Sequence, residues 1–74
     1  MAVGKTQAIL IMYDRFLKEG ALTKADILSL TEISSITFKR YISELRCYFG
    51  NFAPQYEIIY DRESDCYQLK EGTR

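Results

Sequence analysis

Apolar residues recur at three- and four-residue steps near the start of the chain, which is the spacing of one face of an α-helix. The stripe consists of Ile9, Met12, Tyr13, Phe16 and Leu17. It predicts a first helix from Lys5 to Glu19, with Gly20 placed as its stop.

A helix-start signal follows directly. Thr23 can cap the first turn of a helix, and Asp26 stands where a capping-box partner and the helix dipole both favour an acid. Leu22 and Ile27 flank this start as a hydrophobic staple. The signal predicts a second, short helix from about Lys24 to Leu30.

A further start signal stands close behind the first. Ser34 is its cap, and Ile33 and Phe38 repeat the staple. Apolar residues then continue at helical spacing, which predicts a third helix that reaches about Phe49 and is terminated by Gly50-Asn51.

The two starts leave room for only a short helix and a tight turn, Thr31-Glu32-Ile33. This layout is typical of a helix-turn-helix, which indicates DNA binding. A small helical bundle with short loops is the alternative that these signals leave open.

The last third of the chain predicts a β-hairpin. The run from Tyr56 to Tyr60 is rich in aromatic and β-branched residues, and the run from Cys66 to Leu69 can return as a second strand. We therefore predict an α+β fold, a three-helix bundle with a helix-turn-helix and a C-terminal two-stranded hairpin. The domain spans 5–70, between a flexible arm at 1–4 and a tail at 71–74.

Composition and charge narrow the functional classes. The 74 residues suit one domain, and their formal net charge is zero. Zero charge counts against simple DNA binding, because many such domains are basic, so the distribution of charge must decide. No apolar run approaches the roughly 18 residues of a membrane span, and no signal peptide is recognisable. We expect a cytoplasmic protein.

The residues offer little for catalysis. The chain has no histidine, and Cys47 and Cys66 are too few to complete a structural zinc site. No nucleophile–base pair and no glycine-rich phosphate loop is visible. We expect no enzymatic activity, no cofactor and no metal, and we expect the cysteines to be reduced thiols.

One face of the third helix carries three cations and no acid. Its members are Ile36, Lys39, Arg40, Ser43, Arg46 and Cys47, with Ser35 at the edge. An α-helix fits the major groove, where Lys39 and Arg40 can donate to guanine and Ile36 can contact a thymine methyl. A solvated helix face without a partner is the alternative.

The full set of predicted DNA-binding residues extends beyond this face. It comprises Thr23, Lys24, Ser34, Ser35, Ile36, Thr37, Lys39, Arg40, Ser43, Arg46 and Arg62. Thr23 and Lys24 are placed to contact phosphate, because helix N-termini favour anions. The hairpin is acidic around Arg62, and we expect its acids to turn away from DNA. Three or four phosphate contacts per chain are few, so useful affinity requires a dimer, tandem sites or additional domains.

These residues also carry a family resemblance. The stretch from Leu22 to Leu45 resembles the helix-turn-helix of DeoR-like bacterial regulators, especially the N-terminal domain of WYL-domain-containing regulators. The hairpin from Ile58 to Leu69 resembles the wing of that family. The resemblance implies a winged helix-turn-helix that binds double-stranded DNA as a transcriptional regulator. Such regulators usually carry a C-terminal sensing domain, so the chain is either the DNA-binding part of a longer protein or a small stand-alone regulator.

Several positions match or depart from the family pattern. Ser34, Thr37 and Arg40 keep the family's residues, whereas Ile36 replaces another arginine. Glu32 replaces the glycine of the turn, so we expect a turn conformation that needs no positive φ. Tyr41 replaces an aspartate, and Cys66 stands at a glycine of the wing.

A second function remains open at this point. A winged-helix protein-interaction module would use the acidic hairpin or a tyrosine-rich surface to bind protein. That surface comprises Tyr41, Tyr48, Tyr56 and Tyr60. Zero net charge and the isoleucine at position 36 favour this interpretation.

Overall fold

Three helices and a three-stranded antiparallel sheet make up the computed structural model, which describes residues 4–72. The elements are α1 (Lys5–Glu19), β1 (Ala21–Thr23), α2 (Lys24–Thr31), α3 (Ser35–Phe52), β2 (Tyr56–Asp61) and β3 (Cys66–Glu71). The predicted α+β class with three helices is confirmed. Most of the predicted arm (1–4) and part of the predicted tail (71–74) lie outside the described residues.

The predicted helix starts are confirmed by their hydrogen bonds. The hydroxyl of Thr23 accepts the backbone N–H of Asp26 at 3.1 Å, and the hydroxyl of Ser34 accepts the backbone N–H of Thr37 at 3.1 Å. The carboxylate of Asp26 does not reach back to the cap, however. It accepts a hydrogen bond of 2.7 Å from Nη1 of Arg15, because α1 passes beside the start of α2.

The turn between α2 and α3 contradicts one expectation. Glu32 has a φ of 58°, so the turn does require the left-handed conformation that the family's glycine would adopt freely. The backbone N–H of Glu32 donates to the carbonyl of Leu28 at 2.9 Å, which closes α2 in the left-handed manner common at helix ends. A side chain in this conformation costs on the order of 1 kcal/mol.

The end of α3 was also predicted wrongly. The helix runs through Gly50 and Asn51 and ends at Phe52. A glycine stops a helix when it takes a positive φ, and among the described glycines only Gly20 does so. The stop lies at Ala53, whose N–H still donates to the carbonyl of Phe49, and Pro54 follows.

The sheet contains one strand more than predicted. The hairpin of β2 and β3 is present, and β1 pairs with the outer side of β3, which gives the order β1-β3-β2. Leu22 lies opposite Tyr67 in this added pairing. With three residues, β1 is too short to show an alternating pattern. Strand β3 continues beyond the predicted Leu69 to Glu71, the first residue of the predicted tail.

The core lies between the three helices and the inner face of the sheet. It contains Met12, Phe16, Leu22, Ile27, Phe38, Ile42, Leu45, Phe49 and Ile58. Thr31 is a buried polar residue, and its hydroxyl donates to the carbonyl of Ile27 at 2.7 Å, so its hydrogen-bonding capacity is met. Across residues 4–72, no helix combines the length and apolarity needed to cross a bilayer.

Candidate nucleic-acid interface

The outward face of α3 is determined by the residues that the helix buries. Phe38, Ile42, Leu45 and Phe49 point into the core, so the opposite side stands in solvent. The exposed residues there are Ser35, Ile36, Lys39, Arg40, Ser43, Arg46 and Cys47. Ile36 is 72% exposed, so its methyl groups stand in solvent on this face.

Two cations on this face take no part in the ion pairs of residues 4–72. Within residues 4–72, neither Lys39 nor Arg40 lies within 4.0 Å of a carboxylate. Glu44, the acid within α3, turns to the other flank and pairs with Lys5 at 3.1 Å. Positive charge on the outward face is therefore available to an anion in solution.

An open groove of about 490 Å³ lies beside this face, between the start of α2, the flank of α3 and the sheet. Its lining comprises Lys24, Lys39, Ile42, Ser43, Arg46, Tyr60, Asp65 and Tyr67. Three of these side chains are cationic and one is anionic. The groove therefore offers a net positive wall with two aromatic rings on its far side.

Arg46 leans from α3 towards the sheet. Its Nη2 lies 3.5 Å from the carbonyl oxygen of Ile58 on β2, at the limit of a hydrogen bond. Ile58 and Glu57 line a second depression together with Arg46. Arg46 therefore stands between that depression and the groove, and it lines both.

The turn of the hairpin is held by Asp61. Its carboxylate accepts the hydroxyl of Ser64 at 2.8 Å and the backbone N–H of Glu63 at 3.1 Å. These two hydrogen bonds, the one from Ser64 first, lower the pKa of the Asp61 carboxyl below its ordinary value. Asp61 therefore serves the turn, as aspartate often does at such positions.

Asp65 lines the groove beside Lys24, Lys39 and Arg46. The expectation that the hairpin's acids turn away from DNA stays a prediction. Asp65 has a φ of 53°, and its Oδ1 accepts a hydrogen bond from the hydroxyl of Tyr60. That hydrogen bond, with burial second, raises the pKa of the Tyr60 hydroxyl above its ordinary value.

Nine of the eleven predicted site residues fall into two groups, one in the groove and one on the ridge beside it. Lys24, Lys39, Ser43 and Arg46 meet in the groove, as just described. The exposed ridge beside it consists of Ser34, Ser35, Ile36 and Arg40, together with the half-buried Thr37 at its start.

Thr23 and Arg62 do not join these groups. Thr23 lines a separate depression beside Arg15, and its hydroxyl is occupied by the cap of α2. Arg62 is exposed in the turn of the hairpin and is not among the residues that line the groove. The structure therefore does not bring either residue to the groove.

Sequence reasoning missed the far wall of the groove. Tyr60 and Tyr67 are direct partners in the pairing of β2 with β3, and their ring centroids are 4.9 Å apart. The hairpin register contained the signal, because cross-strand partners point to the same side of a sheet. Pairing Asp61 with Cys66 fixes that register and places both tyrosines together.

The described residues show no sign of metal chemistry. No group of three or more histidine, cysteine, aspartate or glutamate side chains is arranged to hold an ion anywhere in 4–72. Cys47 is exposed, Cys66 is half-buried, and both are free thiols.

Comparison with known proteins found no relative of this chain. No protein-family model matches the chain, and neither the curated proteins nor the solved structures contain a significant match. The case for a function therefore depends on the geometry of the site.

Proposed function

We propose that the chain is a winged helix-turn-helix domain that binds double-stranded DNA as a transcriptional regulator or its DNA-binding part. In this proposal α2 and α3 form the helix-turn-helix, and the hairpin is the wing. The three helices and the antiparallel sheet are compatible with that layout. The similarity to DeoR-like and WYL-domain-containing regulators points the same way.

The observation that carries the proposal is the unpaired positive charge on α3. Lys39 and Arg40 are exposed, and within 4–72 no carboxylate lies close enough to form an ion pair with either. A protein with zero net charge has thus left one helical face basic. Such a face suits the major groove, whose edges and flanking phosphates accept hydrogen bonds.

The residues divide into two roles. Lys39 and Arg40 donate to base edges, and the exposed methyl groups of Ile36 contact a thymine methyl. Ser35 and Ser43 are short donors or acceptors beside them. Lys24 and Arg46 hold phosphate in the groove, where Lys24 opens α2 and the helix dipole adds to its charge.

The small number of cations limits the affinity of one chain. Each phosphate contact contributes about 0.9 to the logarithmic salt dependence, so three or four contacts give weak binding at physiological salt. A homodimer on a two-fold operator, or a longer protein with a C-terminal sensing domain, supplies the rest. From the resemblance to bacterial regulators we also propose a location in the cytoplasm of a bacterial cell.

A protein-interaction module is the second candidate, and one surface favours it. Between α1 and α3 lies an apolar depression of about 400 Å³ lined by Ile9, Leu10, Tyr13, Glu44, Leu45 and Tyr48. Leu10 is 56% exposed, Tyr48 is 43% exposed, and Phe52 beside Tyr48 is 74% exposed. This surface lies on the flank of α3 away from Lys39, so it does not compete with DNA for the basic face.

The proposal is tested by removing the charges of Lys39 and Arg40 together. The Lys39→Ala/Arg40→Ala double variant should keep the circular dichroism spectrum of the wild type, because both side chains are exposed. Its affinity for a fluorescent random duplex should fall at least about tenfold at low salt. The matched control is Lys5→Ala/Lys18→Ala, which removes the same charge from α1 and should change affinity much less. Equal losses of affinity in both variants would contradict the assignment of α3 to the major groove of DNA.

A further inference from the structure

Asp65 places a negative charge in the groove, where it opposes the attraction of phosphate by the neighbouring cations. Among the described residues that line the groove, it is the single acid, and it faces Lys24, Lys39 and Arg46. No ion pair within 4.0 Å joins it to any of these cations in 4–72. The carboxylate therefore contributes negative potential to the groove and is not cancelled by direct contact.

The position of this carboxylate is fixed by a chain of contacts that begins in the core. Phe38 is fully buried and meets the ring of Tyr67 edge to face, at 5.4 Å between centroids. Tyr67 packs against Tyr60 at 4.9 Å, and the hydroxyl of Tyr60 donates to Asp65. The hydroxyl of Tyr60 thus anchors the exposed Asp65 carboxylate at the groove.

The neighbouring acids of the hairpin do not share this placement. Asp61 is engaged by the hydrogen bonds of the turn, and Glu63 is exposed in that turn. Glu57 lines a different depression, near Phe49 and Gly50. The feature is therefore specific to one position and is not a general consequence of an acidic hairpin.

We propose that Asp65 limits the sequence-independent affinity of the DNA site, and this inference rests on the proposed function. Its charge weakens the sequence-independent attraction between the groove and phosphates, so that stable binding depends more on the base contacts of α3. Non-specific binding is essentially electrostatic, whereas specific binding adds base readout. A fixed acid among the phosphate-binding cations lowers both, but it leaves less of the non-specific binding, which has no base contacts to make up the loss.

The decisive variant is Asp65→Asn. Asparagine tolerates a positive φ at least as well as aspartate, and its amide oxygen still accepts the hydroxyl of Tyr60. The variant thus keeps the backbone and the contact and removes only the charge. Glu63→Gln is the matched control, because it removes the same charge from the same turn outside the groove.

We expect Asp65→Asn to raise affinity for a random duplex about three- to tenfold at low salt and to steepen the salt dependence by up to about 0.9. Glu63→Gln should change affinity less than about twofold. With a duplex selected from a random pool by the wild-type protein, Asp65→Asn should gain by a similar factor, because the change acts on phosphate attraction and not on base contacts.

Two outcomes overturn the inference. If both variants gain equally, the position of the charge does not matter; if Asp65→Asn binds more weakly, the carboxylate is a direct contact to DNA, such as an acceptor for a cytosine amine. If the proposed function itself is wrong, the result is a different one, because neither the wild type nor any variant then binds duplex DNA, even at low salt.

Discussion

The ring of Phe38 on α3 meets the ring of Tyr67 on β3 edge to face, with 5.4 Å between centroids and an interplanar angle of 67°. Phe38 is fully buried, and Tyr67 is half-buried with one side in the groove. This contact therefore sets the separation between the basic helix and the sheet that faces it. The shape of the candidate site depends directly on the packing of the core.

We expect Tyr67→Ala to lower the free energy of unfolding by about 2 kcal/mol, because a half-buried aromatic ring and its edge-to-face contact are lost. Urea denaturation followed by circular dichroism measures the change. Tyr67→Phe keeps the ring and should stay within about 0.5 kcal/mol of the wild type. DNA affinity should fall in the alanine variant alone. Identical behaviour of the two variants would show that the ring does not set the separation.

The second prediction concerns the bond between α1 and α2. Nη1 of Arg15 lies 2.7 Å from Oδ2 of Asp26, and both side chains are partly exposed, at 29% and 44%. Solvent weakens such a pair, so we expect a coupling energy of about 0.5–1 kcal/mol. A double-mutant cycle of Arg15→Ala and Asp26→Ala measures it, because the cycle cancels the loss of the acid at the start of α2. A coupling near zero would mean that the two side chains act independently.

The third prediction concerns pH. The pKa of Asp61 in the folded protein lies below its ordinary value of 3.8, because Ser64 and the N–H of Glu63 donate to the ionised form. The stability that this carboxylate contributes is therefore present above its unfolded pKa and lost as pH falls through the folded pKa. The difference in stability between wild type and Asp61→Asn should shrink as the pH is lowered from 6 towards the acid range.

A direct titration checks the cause of that shift. Ser64→Ala removes the strongest donor to Asp61, so the pKa of the Asp61 carboxyl should move back towards its ordinary value. Carboxyl carbon chemical shifts in NMR report this pKa residue by residue. An unchanged Asp61 titration in the Ser64→Ala protein would show that the hydroxyl does not stabilise the charge.

Much of the helical part of the fold was predictable because its signals are local. Each helix start depends on residues that lie close together in the sequence, namely the caps at Thr23 and Ser34 and the periodic apolar residues after them. The errors have other causes. Strand β1 exists only because its three residues pair with β3, more than forty positions away. Gly50 stays helical because a glycine can either continue or end a helix, and packing decides.

The candidate site also has a part that local sequence predicts and a part that depends on long-range contacts. The exposed face of α3 follows from helical geometry, and Lys39, Arg40 and Ser43 lie there as predicted. The far wall of the groove requires the hairpin register and the position of the sheet against α3. For that reason Tyr60, Tyr67 and the inward-facing Asp65 emerged only from the three-dimensional arrangement.

The measurement that tests the central claim most directly is the salt dependence of binding to a random duplex. Fluorescence anisotropy across a series of salt concentrations gives the slope of log affinity against log salt. With three or four phosphate contacts per chain, the slope should be about −3, because each contact contributes about 0.9. A slope indistinguishable from zero, or no binding at the lowest salt, would contradict the claim that the third helix presents its cations to DNA.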